Sequence, residues 1–260
     1  MILRRVIAHF RKQEWTAIFL DFLIVVAGVF VATQVSNWNA AIAARRQGEI
    51  FSERLKADLR FEARDSDVLV AYMRVVQANA DRALAILEGS AEATNEELLI
   101  HAFRATQYTD NSRRRSTFDE LTSTGSIGLI ADASLRDIAT LHYTSNNFAN
   151  LTEEGVNSRY RAAFRMIMPL PVQDALTLQC GDRFAEVDEF GAIRNNLDYD
   201  CATGLPAPAI NAAAQLLRAG PEIIPLLRLR AANVRSQITN MTDGSRDILD
   251  GLHAIAKETP

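Results

Sequence analysis

The chain has 260 residues, 48% of them hydrophobic, enough to bury a core and too apolar for a disordered tail. Its formal net charge of −4 is unevenly spread: Arg4, Arg5, Arg11 and Lys12 crowd the start, and beyond the apolar stretch 24 basic residues face 30 acidic ones. That acidic body lacks the basic face a nucleic-acid binder uses, so the composition argues against that class.

The first predicted element is a membrane anchor. From Ile18 to Val35 the chain reads IFLDFLIVVAGVFVATQV, flanked by Trp15 and Trp38. As a helix this stretch spans ~36 Å, which covers a hydrocarbon core of roughly 30 Å and leaves both indoles at headgroup depth. A cleaved secretory signal is the rival, because a basic segment precedes the apolar run. Signal hydrophobic regions are shorter, about 7 to 15 residues, and end near a small-residue cleavage site. The nearest candidate, Ala41-Ile42-Ala43, lies past Trp38 and Asn39. An uncleaved anchor is the reading, with the lipid bilayer as its first partner.

The positive-inside rule puts the basic segment 1–14 in the cytoplasm and the long domain outside. With no eukaryotic targeting signature, this describes a bacterial inner-membrane protein with a periplasmic domain. Cys180 and Cys201, 21 positions apart, lack zinc spacing. In an oxidising compartment they are expected to form a disulfide.

Within the span, Asp21, Val25, Gly28, Ala32 and Val35 recur at spacings of four, three, four and three, and so share one helix face. Gly28 and Ala32 form a small-xxx-small pair that allows close helix approach in lipid. Asp21 lies about 9 Å inward of Trp15 along a helix, where an unpaired carboxylate is costly. It either stays near the headgroups, is protonated, or hydrogen-bonds a second transmembrane helix. The last option predicts a homo-oligomer or another membrane protein as partner.

Beyond the anchor the period is helical. Leu55, Leu59, Glu62, Ser66, Leu69, Met73, Val76, Ala80, Ala83 and Leu87 step by four and three, a heptad-like seam with two polar interruptions. The anchor is expected to continue outward as one helix ending at Gly89. Thr94 and Glu97 form a capping box for a second helix, to about Thr106. The loop TDNSRRR follows, and Ser116 is expected to cap a short helix holding Phe118, Glu120 and Leu121, with Gly125 as its stop. Ile127, Leu129 and Ile130 read as an apolar plug. Asp132 caps a helix expected to run to Met168, bent near Gly155 and ended by Pro169 and Pro171.

Two segments of this region and the anchor carry a resemblance. DFLIVVAGVFVATQVSNWN, the following ERLKADL, and STFDELTSTGSIGLIADASLRDIATLHY resemble a family of bacterial single-span membrane proteins known only as a domain of unknown function. The matching positions are Asp21, Gly28, Gln34 and Trp38 in the span, then Phe118, Glu120, Leu121, Gly125 and Asp132. Nothing from Pro169 onward takes part. The resemblance implies an N-terminal anchor and an extracytoplasmic helical domain, and it brings no activity.

Residues 169–209 hold four of the seven prolines and both cysteines, and read as an irregular insert pinned by the disulfide, with short strands around Phe184 to Val187. Residues 210–260 return to helix, with Leu227, Ala231, Val234, Ile238, Met241, Ser245, Ile248, Leu252 and Ile255 forming the cleanest seam. The expected fold is all-α: a single transmembrane helix (15–38) continuing into an extended antiparallel bundle (39–168), the insert, and a C-terminal return.

No catalytic constellation emerges. His9, His101, His142 and His253 fall on separate predicted helices without metal spacing, and nucleophile-elbow, Walker and dinucleotide motifs are missing. No cofactor or metal is expected. Arg113, Arg114 and Arg115, just before a helix start, are a candidate anion contact, against the plainer reading of a solvated loop or contacts to headgroups or acids. These readings point to a non-enzymatic assembly or accessory factor, with a tethered ligand-sensing module as the alternative.

Overall fold

The computed structural model describes residues 15–110, 113–146, 151–186 and 193–257. The basic segment 1–14 lies outside them. The first described helix, α1, is continuous from Trp15 to Leu87, 73 residues without a proline. Gly89 ends it with φ +75°, the left-handed conformation glycine adopts freely.

The helix has two parts of opposite character. Between Ile18 and Ala40 every described position is exposed. From Gly48 onward one face is covered: of the ten seam positions, all but Leu87 are fully buried. Gly48 marks the junction. A Cβ there would lie 2.2 Å from the Leu129 carbonyl oxygen, so only glycine lets the 3-10 turn Ser126–Leu129 sit against α1.

Among the described residues nine further α-helices follow. They are α2 (Asn95–Arg104), α3 (Ser116–Ser123), α4 (Ala133–Thr144), α5 (Leu151–Val156), α6 (Arg159–Ile167), α7 (Leu170–Cys180), α8 (Ala207–Ala219), α9 (Ile223–Thr242) and α10 (Arg246–Lys257). Among the described residues one antiparallel strand pair, β1 (Arg183–Glu186) and β2 (Ile193–Asn196), sets Arg183 opposite Asn196 and Glu186 opposite Ile193. The fold is all-α in class. Val187, the far end of the expected strand region, lies outside the described residues.

Two cores are strung along α1. Near the exposed segment, Phe51, Leu55 and Leu59 pack with Phe118 and Leu121 of α3, Leu135 and Ala139 of α4, and Leu252 of α10. At the far end, Ala80, Ala83 and Ile86 pack with Leu98, Leu99 and Phe103 of α2, Phe164 of α6, Leu176 of α7, Leu217 of α8 and Leu227 of α9. Each fully buried leucine contributes about 1.5–3 kcal/mol of transfer free energy. Val234 meets Tyr72, Met73 and Val76, and Met241 meets Leu69, so α9 and α10 run back along α1 toward the exposed segment. The bundle is therefore antiparallel.

Local signals act as their chemistry dictates. Thr94 accepts from the Glu97 N–H while Glu97 accepts from the Thr94 N–H, a complete capping box. Asp132 accepts from the Leu135 N–H at the start of α4, and Gly125 (φ +69°) turns the chain after α3.

Other expectations are corrected. Arg115, not Ser116, is the N-cap of α3, and it caps without a side-chain hydrogen bond. Of the expected plug, Ile130 alone is fully buried. Residues 133–168 form three helices rather than one bent one. Ser158 starts α6 by accepting from Arg161, and Gly155 passes Tyr108 so closely that a Cβ would lie 2.3 Å from its own. Residues 169–209 are more ordered than expected, because Pro169 and Pro171 also begin α7, where a proline's missing N–H costs nothing. The disulfide joins the end of α7 to Cys201, with 5.4 Å between Cα atoms. The final seam is interrupted after Thr242, where Asp243 and Gly244 both donate N–H to Thr239 and buried Ser245 donates to the Asn240 carbonyl.

Candidate functional site

The sequence-predicted anchor face is intact in α1. Trp15, Asp21, Val25, Gly28, Ala32, Val35 and Trp38 lie on one unbroken helix, all exposed, and a Cβ added at Gly28 would meet nothing within 4 Å. The chain thus carries one helix near its N-terminus that is long and apolar enough to cross a membrane, with none of that apolar window buried.

The arginine run is used differently from an open anion site. Arg113 turns inward: its Nη2 donates to the His142 carbonyl oxygen at 2.6 Å, and its side chain is 10% exposed. Arg114 lays its guanidinium 3.8 Å over the Phe61 ring, and Arg115 pairs with Asp119 at 3.0 Å. Each cation already has a partner within the protein.

Arg113 belongs to a buried cluster centred on Glu62, one of the polar interruptions in the α1 seam. Glu62 Oε1 accepts from the Arg114 N–H at 2.5 Å, and Oε2 lies 2.7 Å from His142 Nε2. Arg113 Nε stands 3.6 Å from the same oxygen, a charge contact too long for a hydrogen bond. Glu62 and His142 are 2% and 1% exposed. Burial lowers the His142 pKa below its usual value; the Glu62 hydrogen bond opposes this and Arg113 reinforces it. Tyr143 completes the cluster by donating to the Arg114 carbonyl oxygen at 2.5 Å. The cluster ties α1, α4 and the 113–115 loop together. Its acid and imidazole are buried, so they are closed to a substrate.

The far half contains a second polar hub at the end of α2. Four consecutive carbonyls, of Ala105, Thr106, Gln107 and Tyr108, accept from side chains of other elements. Arg230 donates to Ala105 (3.2 Å) and Gln107 (2.9 Å), Arg161 to Thr106 (3.1 Å) and Tyr72 to Tyr108 (3.3 Å). Unpaired carbonyls at a helix C-terminus carry partial negative charge, which is why two arginines gather there. Buried Arg230 also pairs with Glu154, which accepts from Asn233 and Gln237 as well. The single Tyr72 proton is shared with Asp182, whose nearer carboxylate oxygen, 2.8 Å away, takes the larger part of it. Burial pushes the Asp182 pKa up to about 6, against the lowering effect of the Tyr72 hydrogen bond and of Arg161 and Arg104.

Beside this hub, α2, α6 and α7 enclose a cavity of about 210 Å3 lined by Phe103, Phe164, Arg161, Arg165, Leu170 and Asp174 among others. Sequence reasoning singled out none of these residues. They come from helices whose packing partners are far apart in the chain. Among the described residues no group of His, Cys, Asp and Glu is arranged to hold a metal ion.

No family model, curated protein or solved structure matches this chain. The functional reading therefore rests on the geometry above.

Proposed function

We propose that this protein is a bitopic component of a bacterial inner membrane, with its N-terminus in the cytoplasm and its helical domain in the periplasm. In this reading it acts without catalysis, as an assembly or accessory factor that contacts other proteins. The observation that carries the proposal is the continuity of α1: one helix is exposed and apolar at its start and becomes the buried spine of the domain. An anchor of that kind couples whatever packs against the span to whatever the domain meets. The Cys180–Cys201 bond fits an oxidising compartment.

The Asp21–Gly28–Ala32 face is the proposed contact with a second transmembrane helix, either a second copy or a different membrane protein. Replacing Gly28 with Ile is expected to weaken association in a membrane two-hybrid assay, because the added branch fills the groove. The same change at Val26 is expected to have no effect. Equal association by both variants would leave Asp21 as an interfacial acid and remove the proposed contact.

A second reading, a tethered ligand sensor that signals through a partner, is favoured by one observation: the cavity between α2, α6 and α7 carries two arginines on its wall.

A further inference from the structure

The cavity has an uneven lining. Phe103 and Phe164 are buried at its base, while Leu170 at its edge is 72% exposed. Arg161 and Arg165 stand one turn apart on α6, so their side chains are neighbours. Like charges at that spacing repel, and an anion between them relieves the repulsion.

Here no acid is so placed. Arg161 spends one N–H on the Thr106 carbonyl and lies 4.9 Å over the Tyr108 ring. The Arg165 guanidinium makes no hydrogen bond or ion pair among the described residues, and neither cation pairs with Asp174, which lines the same cavity. Burial depresses the Arg161 pKa, and Arg165 beside it depresses it further. Two cations therefore face one half-enclosed space with a single carboxylate at its rim.

We infer that this cavity binds a short organic acid, its carboxylate held by Arg161 and Arg165 and its apolar tail lying over Phe103, Phe164 and Leu170. The planar guanidinium fork matches a carboxylate in two-point contact, which a lysine pair would not do. The aromatic base favours a ligand with a hydrocarbon part over a bare inorganic anion. The volume is below the roughly 300–1,000 Å3 of sites for drug-sized ligands, so a nucleotide or an acyl lipid does not fit. This inference rests on the ligand-sensing reading and names its ligand class.

The test uses the full chain in detergent micelles, titrated calorimetrically with isovalerate, its neutral isostere isovaleramide, and inorganic phosphate. Isovalerate is expected to bind saturably, with the amide and phosphate each weaker by about tenfold or more, the difference one charge-assisted contact makes. Arg165→Gln, an exposed and unbonded side chain, is expected to weaken isovalerate by about tenfold while leaving the ligand-free melting temperature unchanged. Leu170→Ser should weaken isovalerate and leave phosphate unaffected. Absence of saturable isovalerate binding, equal binding of acid and amide, or an unaltered Arg165→Gln variant would overturn the inference. Phosphate binding as tight as isovalerate would overturn the organic-acid assignment. Because binding is read on the protein alone, saturable isovalerate binding with no change in two-hybrid association would keep the site and remove the signalling role.

Discussion

The two halves of the domain bury charge in different ways. In the half nearer the exposed segment, the Glu62 carboxylate gathers the Arg114 N–H and His142 and stands close to Arg113, partners drawn from one loop and one helix distant in the chain. In the far half, Asp182 has one close neutral donor, Tyr72, with arginines acting from further off. The first carboxylate is met by a backbone N–H, an imidazole and a nearby guanidinium; the second, with fewer close donors, has its pKa pushed up by burial to about 6. The difference teaches that burying an acid raises its pKa unless close donors answer it, and that the two halves supply those donors in different numbers.

Removing the Glu62 charge gives the largest expected effect. Glu62→Gln leaves Arg113 buried without its counter-ion, which costs about 3–5 kcal/mol where a buried pair is broken. Asp182→Asn keeps an oxygen for Tyr72 and is expected to cost far less. Chemical denaturation of both variants checks this, and equal losses would break the comparison.

The disulfide gives the next effect, and it is regional. Opening a loop of 21 residues costs roughly 3 kcal/mol in the chain-entropy model. Paired Cys180→Ser and Cys201→Ser changes are expected to raise amide hydrogen exchange in α7 and the strand pair while α4 stays protected. Uniform loss across both halves would mean that the two cores unfold as one unit.

The smallest effect separates the halves by pH. His142 has a lowered pKa in the folded protein, so its contribution is present above the usual imidazole value of 6.5 and is lost as pH falls through the folded value. Asp182 has its pKa raised from 3.8 to about 6, so its contribution is complete below 3.8 and is lost as pH rises through about 6. Acidification from neutrality is therefore expected to loosen the α4 contacts and tighten those around the strand pair. Amide exchange at two pH values, corrected for intrinsic rate, reads both regions at once. Asp182→Asn should erase the second trend and leave the first.

Much of the architecture was legible because its causes are local. The four-and-three spacing of the α1 seam, the Thr94–Glu97 box, the Gly89 and Gly125 stops and the Cys180–Cys201 pair each need only neighbouring residues or one redox assumption. The break-up of residues 133–168 was not legible, since the close passage of Gly155 by Tyr108 is a tertiary fact. Pro169 and Pro171 were read as an ending alone, although the same residues suit a first turn. The buried clusters were hidden for a further reason. Glu62, Arg113 and His142 are separated by tens of positions, and only the acid inside an apolar seam hinted that something must meet it.

The unbroken length of α1 has a mechanical consequence. From Trp38 to Leu87 the helix advances 49 residues, a reach of about 74 Å along its axis. Transmembrane helices commonly tilt by about 20°, and a swing of that size at the bilayer would carry the far end sideways by about 25 Å. The span and the far core thus behave as the pivot and tip of a boom. If the exposed segment is anchored as proposed, a small reorientation there becomes a large sweep of the end that holds α2, α6 and α7, and any partner for that end must stand as tall or arrive unattached.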